Sequence, residues 1–230
     1  AEERGMQAGG SYDITGDEPK DIRDPKVRQE IRSEVKKKKP RVLVGSPPCT
    51  AFSQLQRLNQ SSEGSESRII SWAEGVAFMA FCAELYGEQI REGRYFLHEH
   101  PTPATSWELK PMKALADRHG VILAKADQCM FGLMTKDEYG RAVPAKKPTT
   151  FMTNSVEIAR ELGRKCDGGH SHFPFTGARA AAAQHYPKGL CEAICKGIKK
   201  QRVMDEAGLH AVGVAEGPQA EVEAAPRFPG

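Results

Sequence analysis

The chain has 230 residues, of which 39% are hydrophobic and 27% charged, with a formal net charge of +3. This length and composition are typical of a soluble globular chain with one sizeable core. No run approaches the ~18–20 apolar residues of a membrane span, and the amino end, "AEERGMQAGG", lacks the positive-then-apolar pattern of a signal peptide. We therefore expect an intracellular protein with no membrane partner, and the start on a segment without methionine suggests a piece of a longer chain.

The first elements predict alternating strands and helices. Residues 11–14 are consistent with a short strand that ends at Asp13. The segment Pro25–Lys38 opens with proline and repeats apolar residues at helical spacing, and residues 41–44 form a short apolar strand pattern. This β-α-β order favours a parallel sheet with crossover helices.

A rigid turn follows the second of these strands. Pro47 and Pro48 fix φ and cannot donate to a ladder, so strand pairing must stop there. Cys49 is thereby presented on a stiff loop at the carboxyl end of a strand. Residues 54–67 are rich in Ser, Gln, Asn and Gly, which predicts a mobile loop after the turn.

A long helix and another strand come next. Apolar residues recur every three or four positions over residues 68–91, which predicts one buried stripe that includes Trp72. A strand over 95–98 then runs out into Glu99 and Pro101. In open α/β sheets the ligand crevice lies beyond the carboxyl ends of strands, so we expect Cys49 and Glu99 to be neighbours.

The rest of the chain continues the pattern. It predicts a helix near 106–119, a strand at 121–125, a helix near 155–163 and a helix from about 187 to 203. A polar, glycine-containing segment occupies 135–145. Beyond Met204 large apolar residues are few, so we expect one domain over residues 1–203 and a disordered tail over 204–230.

A thiolate and a carboxylic acid at one sheet edge can act together on a heterocyclic ring: the thiolate adds to a ring carbon, and the acid protonates a ring nitrogen. C5 of cytosine becomes nucleophilic only after a thiolate adds at C6, and a proton or hydrogen bond at N3 eases that addition. In this interpretation Cys49 attacks C6 and Glu99 holds N3.

The same residues carry a resemblance to a known family. "SPPCTAFS" resembles the proline-cysteine nucleophile motif of DNA cytosine-5 methyltransferases, "HEHP" resembles their Glu-Asn-Val motif, and "KKPTTFMTNS" is similar to a later basic motif. The segments "GRYFLHEHP", "ADQCMFG" and "YPKGLCEAICKG" look closest to methyltransferase-like segments of algal retroelement polyproteins. The motif order covers roughly residues 13–198. The family's glycine-rich first cofactor motif has no match, and His100 stands where the family has Asn.

The resemblance implies a Rossmann-like class I methyltransferase fold, with a mostly parallel sheet, helices on both faces and an incomplete amino end. It also implies S-adenosylmethionine as cofactor, DNA as partner and a nuclear location. Cys49 would be the nucleophile and Glu99 the N3 partner. The residues implied for the cofactor are Asp13, Asp21, Ser46 and Pro47. Those implied for the substrate or DNA are Pro48, Thr50, Ser53, Lys147 and Thr149.

A zinc site is an additional hypothesis. Cys166, His170 and His172 in "CDGGHSH" have ligand-like spacing, and zinc takes thiolate and imidazole ligands. The alternative is a glycine-rich substrate loop whose histidines face solvent or DNA. The fourth ligand stays open among Cys129, Cys191 and Cys195. Because the six cysteines are spread along the chain, we expect reduced thiols rather than a disulfide framework.

Two other functions compete with methyl transfer. One is a non-catalytic nucleic-acid-binding module of a retroelement polyprotein, for which basic clusters provide the surface: "KKKKPR" at 36–41, Lys146–Lys147, and "KGIKKQR" at 196–202. The other is a cysteine hydrolase that uses Cys49 with His98 or His100. Those two histidines share the strand face opposite Glu99, which favours a structural role for them.

Overall fold

The computed structural model describes residues 5–13, 19–53, 65–173 and 185–208, and within these ranges the chain is α/β. The helices are α1 Pro25–Lys38, α2 Ser65–Arg91, α3 Lys110–Ala116, α4 Val156–Leu162 and α5 Lys188–Glu206. The strands are β1 Val42–Gly45, β2 Tyr95–Pro101, β3 Ile122–Asp127, β4 Met134–Lys136, β5 Ala142–Pro144 and β6 Pro148–Thr153. Short 3-10 turns lie at Thr50–Phe52, Thr105–Glu108 and Gln128–Phe131. A four-stranded sheet has the order β1-β2-β6-β3, and β4 pairs with β5.

The chain divides into two compact units. The first unit comprises Ala1–Phe96 and Ala104–Leu115, and the second comprises Leu97–Pro103 and Ala116–Gly230. The chain therefore passes from one unit to the other within β2.

The core of the first unit forms between α1 and α2. The helix α1 begins after Asp24, whose side chain accepts from the Lys26 N–H at 2.8 Å, and its bounds confirm the prediction. It buries Ile31 and Val35 against Phe81 and Leu85 of α2. Beside this core, the N–H of Tyr95 at the start of β2 donates to the carbonyl of Arg41, just before β1, at 2.9 Å.

The apolar stripe of α2 is buried over only part of its length. Met79 and Tyr86 are buried, but Ile69 is 66% exposed and Trp72 is 43% exposed, so the prediction was wrong for the first turns. The ring of Trp72 contacts the edge of Phe52, with the ring centroids 5.1 Å apart, and leaves its other side in solvent. Burial along α2 begins at Gly75.

One helix among the described residues, Glu66–Arg91, is long and apolar enough to cross a membrane by length and composition. The expectation that no run approaches a membrane span therefore does not hold for this helix. Phe81 and Leu85 of this helix pack against α1, and 28% of its apolar window is buried. The structure is compatible with the absence of a membrane partner.

The second unit contains a mixed rather than a mostly parallel arrangement of strands. β6 pairs antiparallel with both β2 and β3, so that Phe151 lies opposite Glu99 on one side and Ala124 on the other. β2 and β3 thus run in the same direction with β6 reversed between them. The reason is that a hairpin of β4 and β5, rather than a crossover helix, connects β3 to β6. The sequence patterns did not predict β4, β5 or β6.

Helices α4 and α5 pack closely in the second unit. A Cβ on Gly197 of α5 would lie 2.7 Å from the Cα of Ile158 in α4, so only glycine allows this approach. Ser155 caps α4 by accepting from the Ile158 N–H at 3.2 Å, and its hydroxyl donates to Oε1 of Gln201 at 2.7 Å. The cap of one helix is thereby joined to the side of the other.

Several element bounds differ from the predictions. Residues 11–13 are not a strand, and the helix expected at 106–119 is a 3-10 turn followed by the short α3. β2 continues to Pro101, so Glu99 lies inside the strand rather than beyond it. α5 continues to Glu206, past the expected domain boundary at 203. Residue 14, residues 54–64 of the expected loop and residues 209–230 of the expected tail lie outside the described residues.

Candidate functional site

Cys49 lies on a turn immediately after β1, as the two prolines predicted. Pro47 is half-buried and Pro48 is exposed, and Cys49 itself is half-buried. Cys49 precedes the 3-10 turn Thr50–Phe52, and its carbonyl accepts from the Phe52 N–H at 3.0 Å. Thr50 is exposed and Ser53 is half-buried beside it.

The Cys49 turn is held in place by Phe52, which is fully buried. A Cβ on Gly75 of α2 would lie 3.0 Å from the ring of Phe52 and 3.1 Å from the Cβ of Ala51, so glycine lets the turn approach the helix closely. The hydroxyl of Thr105 donates to the Phe52 carbonyl at 3.4 Å. These contacts limit how far the turn that carries Cys49 can move.

Glu99 is buried in the second unit, with 4% of its surface exposed. Nζ of Lys147 lies 3.6 Å from its Oε1, and the hydroxyl of Tyr186 donates to its Oε2 at 3.3 Å. Lys147 directly precedes β6 and is separated from Phe151, the residue opposite Glu99, by an even number of positions, so continued alternation places its side chain on the face of Glu99. The structure therefore brings together two of the predicted site residues and adds a third, Tyr186.

Sequence reasoning missed Tyr186 as a site residue. It lies 87 residues from Glu99 and comes just before Pro187, the residue that precedes α5. Its only sequence signal was its place in "YPKGLCEAICKG", a segment already included in the family resemblance.

Lys147 is positioned by a hydrogen-bond network around its backbone. The Gln128 N–H and the Thr149 hydroxyl both donate to the Lys147 carbonyl, each at 3.1 Å. The side-chain amide of Gln128 in turn donates to the Thr149 hydroxyl at 3.0 Å. Thr149 is fully buried, so in this structure it supports the backbone at Lys147.

His98 and His100 lie on the face of β2 opposite Glu99 and are both fully buried. Their ring centroids are 5.6 Å apart. Burial, and then the proximity of His100, hold the pKa of His98 well below its ordinary value. His98 is therefore neutral at physiological pH, in keeping with the structural role favoured by the sequence.

The two acidic residues implied for the cofactor differ in their surroundings. Asp13 is exposed in a non-strand segment. Both carboxylate oxygens of Asp21 are held by Arg23, at 2.9 and 3.0 Å from its Nε, and these hydrogen bonds lower the pKa of Asp21. Ser46 is exposed directly after β1. Asp13 and Ser46 are thus both exposed, and the carboxylate of Asp21 is held within a local turn.

The basic clusters are used in two different ways. Lys36, Lys37 and Lys39, at the end of α1, are exposed. Lys196 and Lys200 of α5 instead pair with Glu161 of α4, at 3.2 and 2.6 Å. Burial disfavours the Glu161 carboxylate, but hydrogen bonds from these lysines hold its pKa below the ordinary value.

A Cys/His cluster forms at the end of β3 and in the segment after α4. Its members are Cys129, Cys166, His170 and His172, whose ligand atoms all lie within 4.8 Å of one another. Among the three candidates for a fourth member, the structure therefore selects Cys129. Burial, and then the Cys166 thiol, raise the pKa of Cys129 to about 11. These four side chains could hold a metal ion.

Compared with known proteins, the chain matches no family model, no curated protein and no solved structure significantly.

Proposed function

We propose that this chain is a DNA cytosine-5 methyltransferase-like domain with a Rossmann-like class I methyltransferase fold. The proposal depends above all on Glu99, a buried carboxylate whose two oxygens contact an ammonium group and a hydroxyl group. It is supported by the anchored turn that carries Cys49 after two prolines. The nuclear location and the place within a longer retroelement polypeptide follow from the same family resemblance.

The chemistry of the two residues is complementary. The Cys49 thiolate adds to C6 of a flipped cytosine, the C5–C6 pi pair forms a C4–C5 double bond, and the C4–N3 pi pair moves to N3, which takes a proton from the Glu99 carboxyl group. C5 is then nucleophilic and would bond to the methyl group of a donor. Loss of the C5 hydrogen to water as a proton then restores the C5–C6 double bond, the sulfur–C6 bond breaks to regenerate the thiolate, and the N3 proton returns to Glu99. Lys147 and Tyr186 keep the Glu99 carboxyl group oriented throughout.

S-adenosylmethionine would supply the methyl group that C5 receives. The family resemblance places Asp13 at its ribose, Asp21 near its adenine, and Ser46 and Pro47 beside it. Asp13 and Ser46 are exposed, and the carboxylate of Asp21 is held by Arg23.

The direct test is covalent trapping on a duplex oligonucleotide that contains 5-fluorocytosine, in the presence of S-adenosylmethionine. Fluorine at C5 cannot leave as a proton does, so the Cys49 adduct should persist as a band stable to denaturation. We expect the band to disappear in Cys49→Ser and to remain in Cys191→Ser, which removes an exposed thiol on α5. A band that survives Cys49→Ser would contradict the assigned nucleophile.

A second readout separates attack from methyl transfer. Addition at C6 makes C5 exchange its hydrogen with solvent, so deuterium should enter C5 without any methyl donor. We expect exchange to be lost in Cys49→Ser and strongly reduced in Glu99→Gln. Exchange without methylation would mean that the attacking residues are competent and the donor site is not, whereas neither trapping nor exchange would contradict the enzymatic proposal.

The non-catalytic nucleic-acid-binding module is the second candidate, and the exposed lysines at the end of α1 favour it. Such a module would bind DNA with the same affinity whether S-adenosylmethionine is present or not. Tightening of DNA binding by the cofactor would count against this candidate and in favour of the enzyme.

A further inference from the structure

The Cys/His cluster of the second unit has the dimensions of a tetrahedral metal site. Sγ of Cys166 lies 3.7 Å from Nε2 of His170 and 3.5 Å from Nε2 of His172. Sγ of Cys129 lies 3.3 Å from Nε2 of His172. In tetrahedral zinc sites, Zn–S bonds of about 2.3 Å and Zn–N bonds of about 2.0–2.1 Å place sulfur and nitrogen about 3.6 Å apart. The three sulfur–nitrogen distances in the cluster, 3.3, 3.5 and 3.7 Å, are close to this value.

The backbone around Cys166 is organised to hold this geometry. The buried carboxylate of Asp127, at the end of β3, accepts from the Cys166 N–H at 3.0 Å. The Gly168 N–H donates to Sγ of Cys166 at 3.4 Å. Asp167 accepts from the Gly169 N–H at 2.9 Å and closes the turn that leads to His170. The cluster is thus built by specific contacts from two distant parts of the chain.

We propose that Cys129, Cys166, His170 and His172 bind one zinc ion as a structural site. Two thiolates and two imidazoles form a ligand set that zinc prefers, and four protein ligands leave no open position for substrate. Both histidines present Nε2 to the cluster, so the ring proton belongs on Nδ1 in the bound form.

The zinc ion would join three parts of the second unit. Cys129 lies in the turn after β3, the other three ligands lie after α4, and the N–H of Phe173, next to His172, donates to the Pro144 carbonyl of β5 at 3.3 Å. Gln128, adjacent to Cys129, binds the backbone of Lys147. The ion would therefore stabilise the turn that positions Lys147, but its binding does not depend on the proposed methyl transfer.

The test is the zinc content of the full chain, measured by inductively coupled plasma mass spectrometry after gel filtration from zinc-containing buffer. We expect one zinc per folded chain, and far less in Cys166→Ser and in His172→Gln. Cys195→Ser on α5 and His185→Gln, an exposed histidine, are matched controls that should keep the full content. Equal zinc in Cys166→Ser, or equal loss in Cys195→Ser, would overturn the site.

A cobalt titration of the unmodified chain keeps the proposal testable even if a variant fails to fold. Co²⁺ in the site should give visible ligand-field bands of tetrahedral strength and thiolate charge-transfer absorption, and added Zn²⁺ should abolish both. Zinc should also protect Cys129 and Cys166 from alkylation while the exposed Cys191 reacts. A folded chain without these bands, or one that contains a Cys129–Cys166 disulfide and takes up no metal, would refute the proposal.

Discussion

At the residue scale, the burial of individual side chains decides which ionisable groups can react. Glu99 and His98 are neighbours in sequence and both are buried, yet they lie on opposite faces of β2. Glu99 is compensated by Lys147 and Tyr186, whereas His98 avoids the cost of a buried charge by remaining neutral. The alternation of the strand thus places the polar contacts of Glu99 and the neutral ring of His98 on opposite faces.

The lowered pKa of His98 predicts a pH dependence of stability. Above about pH 6.5 His98 is neutral in both states, but below it the unfolded chain takes up a proton that the folded chain refuses. The free energy of unfolding should therefore fall as the pH decreases, by up to about 1.4 kcal/mol per pH unit from this group. Urea unfolding of wild type and His98→Gln between pH 5 and 7.5 measures the difference. The control is His185→Gln, an exposed histidine, which should follow wild type. A His98→Gln curve parallel to wild type would contradict the assignment.

At the scale of elements, the contact between α4 and α5 shows how a single glycine determines helix packing. The Cβ-free surface of Gly197 lets the two backbones approach, and the buried hydrogen bond from Ser155 to Gln201 joins the helices at a second point. Glu161 adds a third connection through Lys196 and Lys200. Part of the basic cluster on α5 therefore stabilises the fold, which leaves the lysines of α1 as the more accessible basic surface.

Replacement of Gly197 by alanine tests this packing. Alanine is the better helix former by about 1 kcal/mol, but its Cβ would lie 2.7 Å from the Cα of Ile158 and 3.2 Å from the carbonyl of Glu157. Backbone atoms cannot move aside as a side-chain end does, so we expect a net loss of about 1–3 kcal/mol in the free energy of unfolding. Chemical denaturation measures it, with the exposed Lys199→Ala on the same helix as the control. Unchanged stability in Gly197→Ala would show that the helices are not packed this closely.

At the scale of the whole molecule, the two proposed reactive residues belong to different units. Cys49 and its anchoring contacts lie in the first unit, whereas Glu99, Lys147 and the Cys/His cluster lie in the second. The two compact units share β2, and the expectation of one domain over residues 1–203 stays a prediction.

The charge distribution of the whole chain predicts how it binds DNA. If Lys36 and Lys37 contact phosphates, Lys36→Gln/Lys37→Gln should weaken binding and reduce the slope of log K against log [salt] by about 0.9 for each lost contact. Lys26→Gln, an exposed change at the other end of α1, should leave the slope unchanged. Fluorescence anisotropy with a labelled duplex at several salt concentrations measures both slopes. Equal slopes for the double variant and wild type would exclude this surface.

The sequence by itself determined the elements whose signals are local. The helix α1, the turn at Cys49 and the start of α4 at Ser155 follow from prolines, capping residues and apolar periodicity, which act over a few neighbouring residues. For the same reason three members of the Cys/His cluster were visible in one short segment.

Only the tertiary structure decided what depends on distant parts of the chain. The reversed position of β6 between β2 and β3 depends on a hairpin of two three-residue strands, too short for a clear periodic signal. Tyr186 reaches Glu99 across 87 residues, and Cys129 reaches His172 across 43. The 43% exposure of Trp72 likewise depends on tertiary packing, because its ring contacts Phe52 of a separate segment. Local propensity carries no information about such pairings, because they arise only when strands and helices from separate segments pack together.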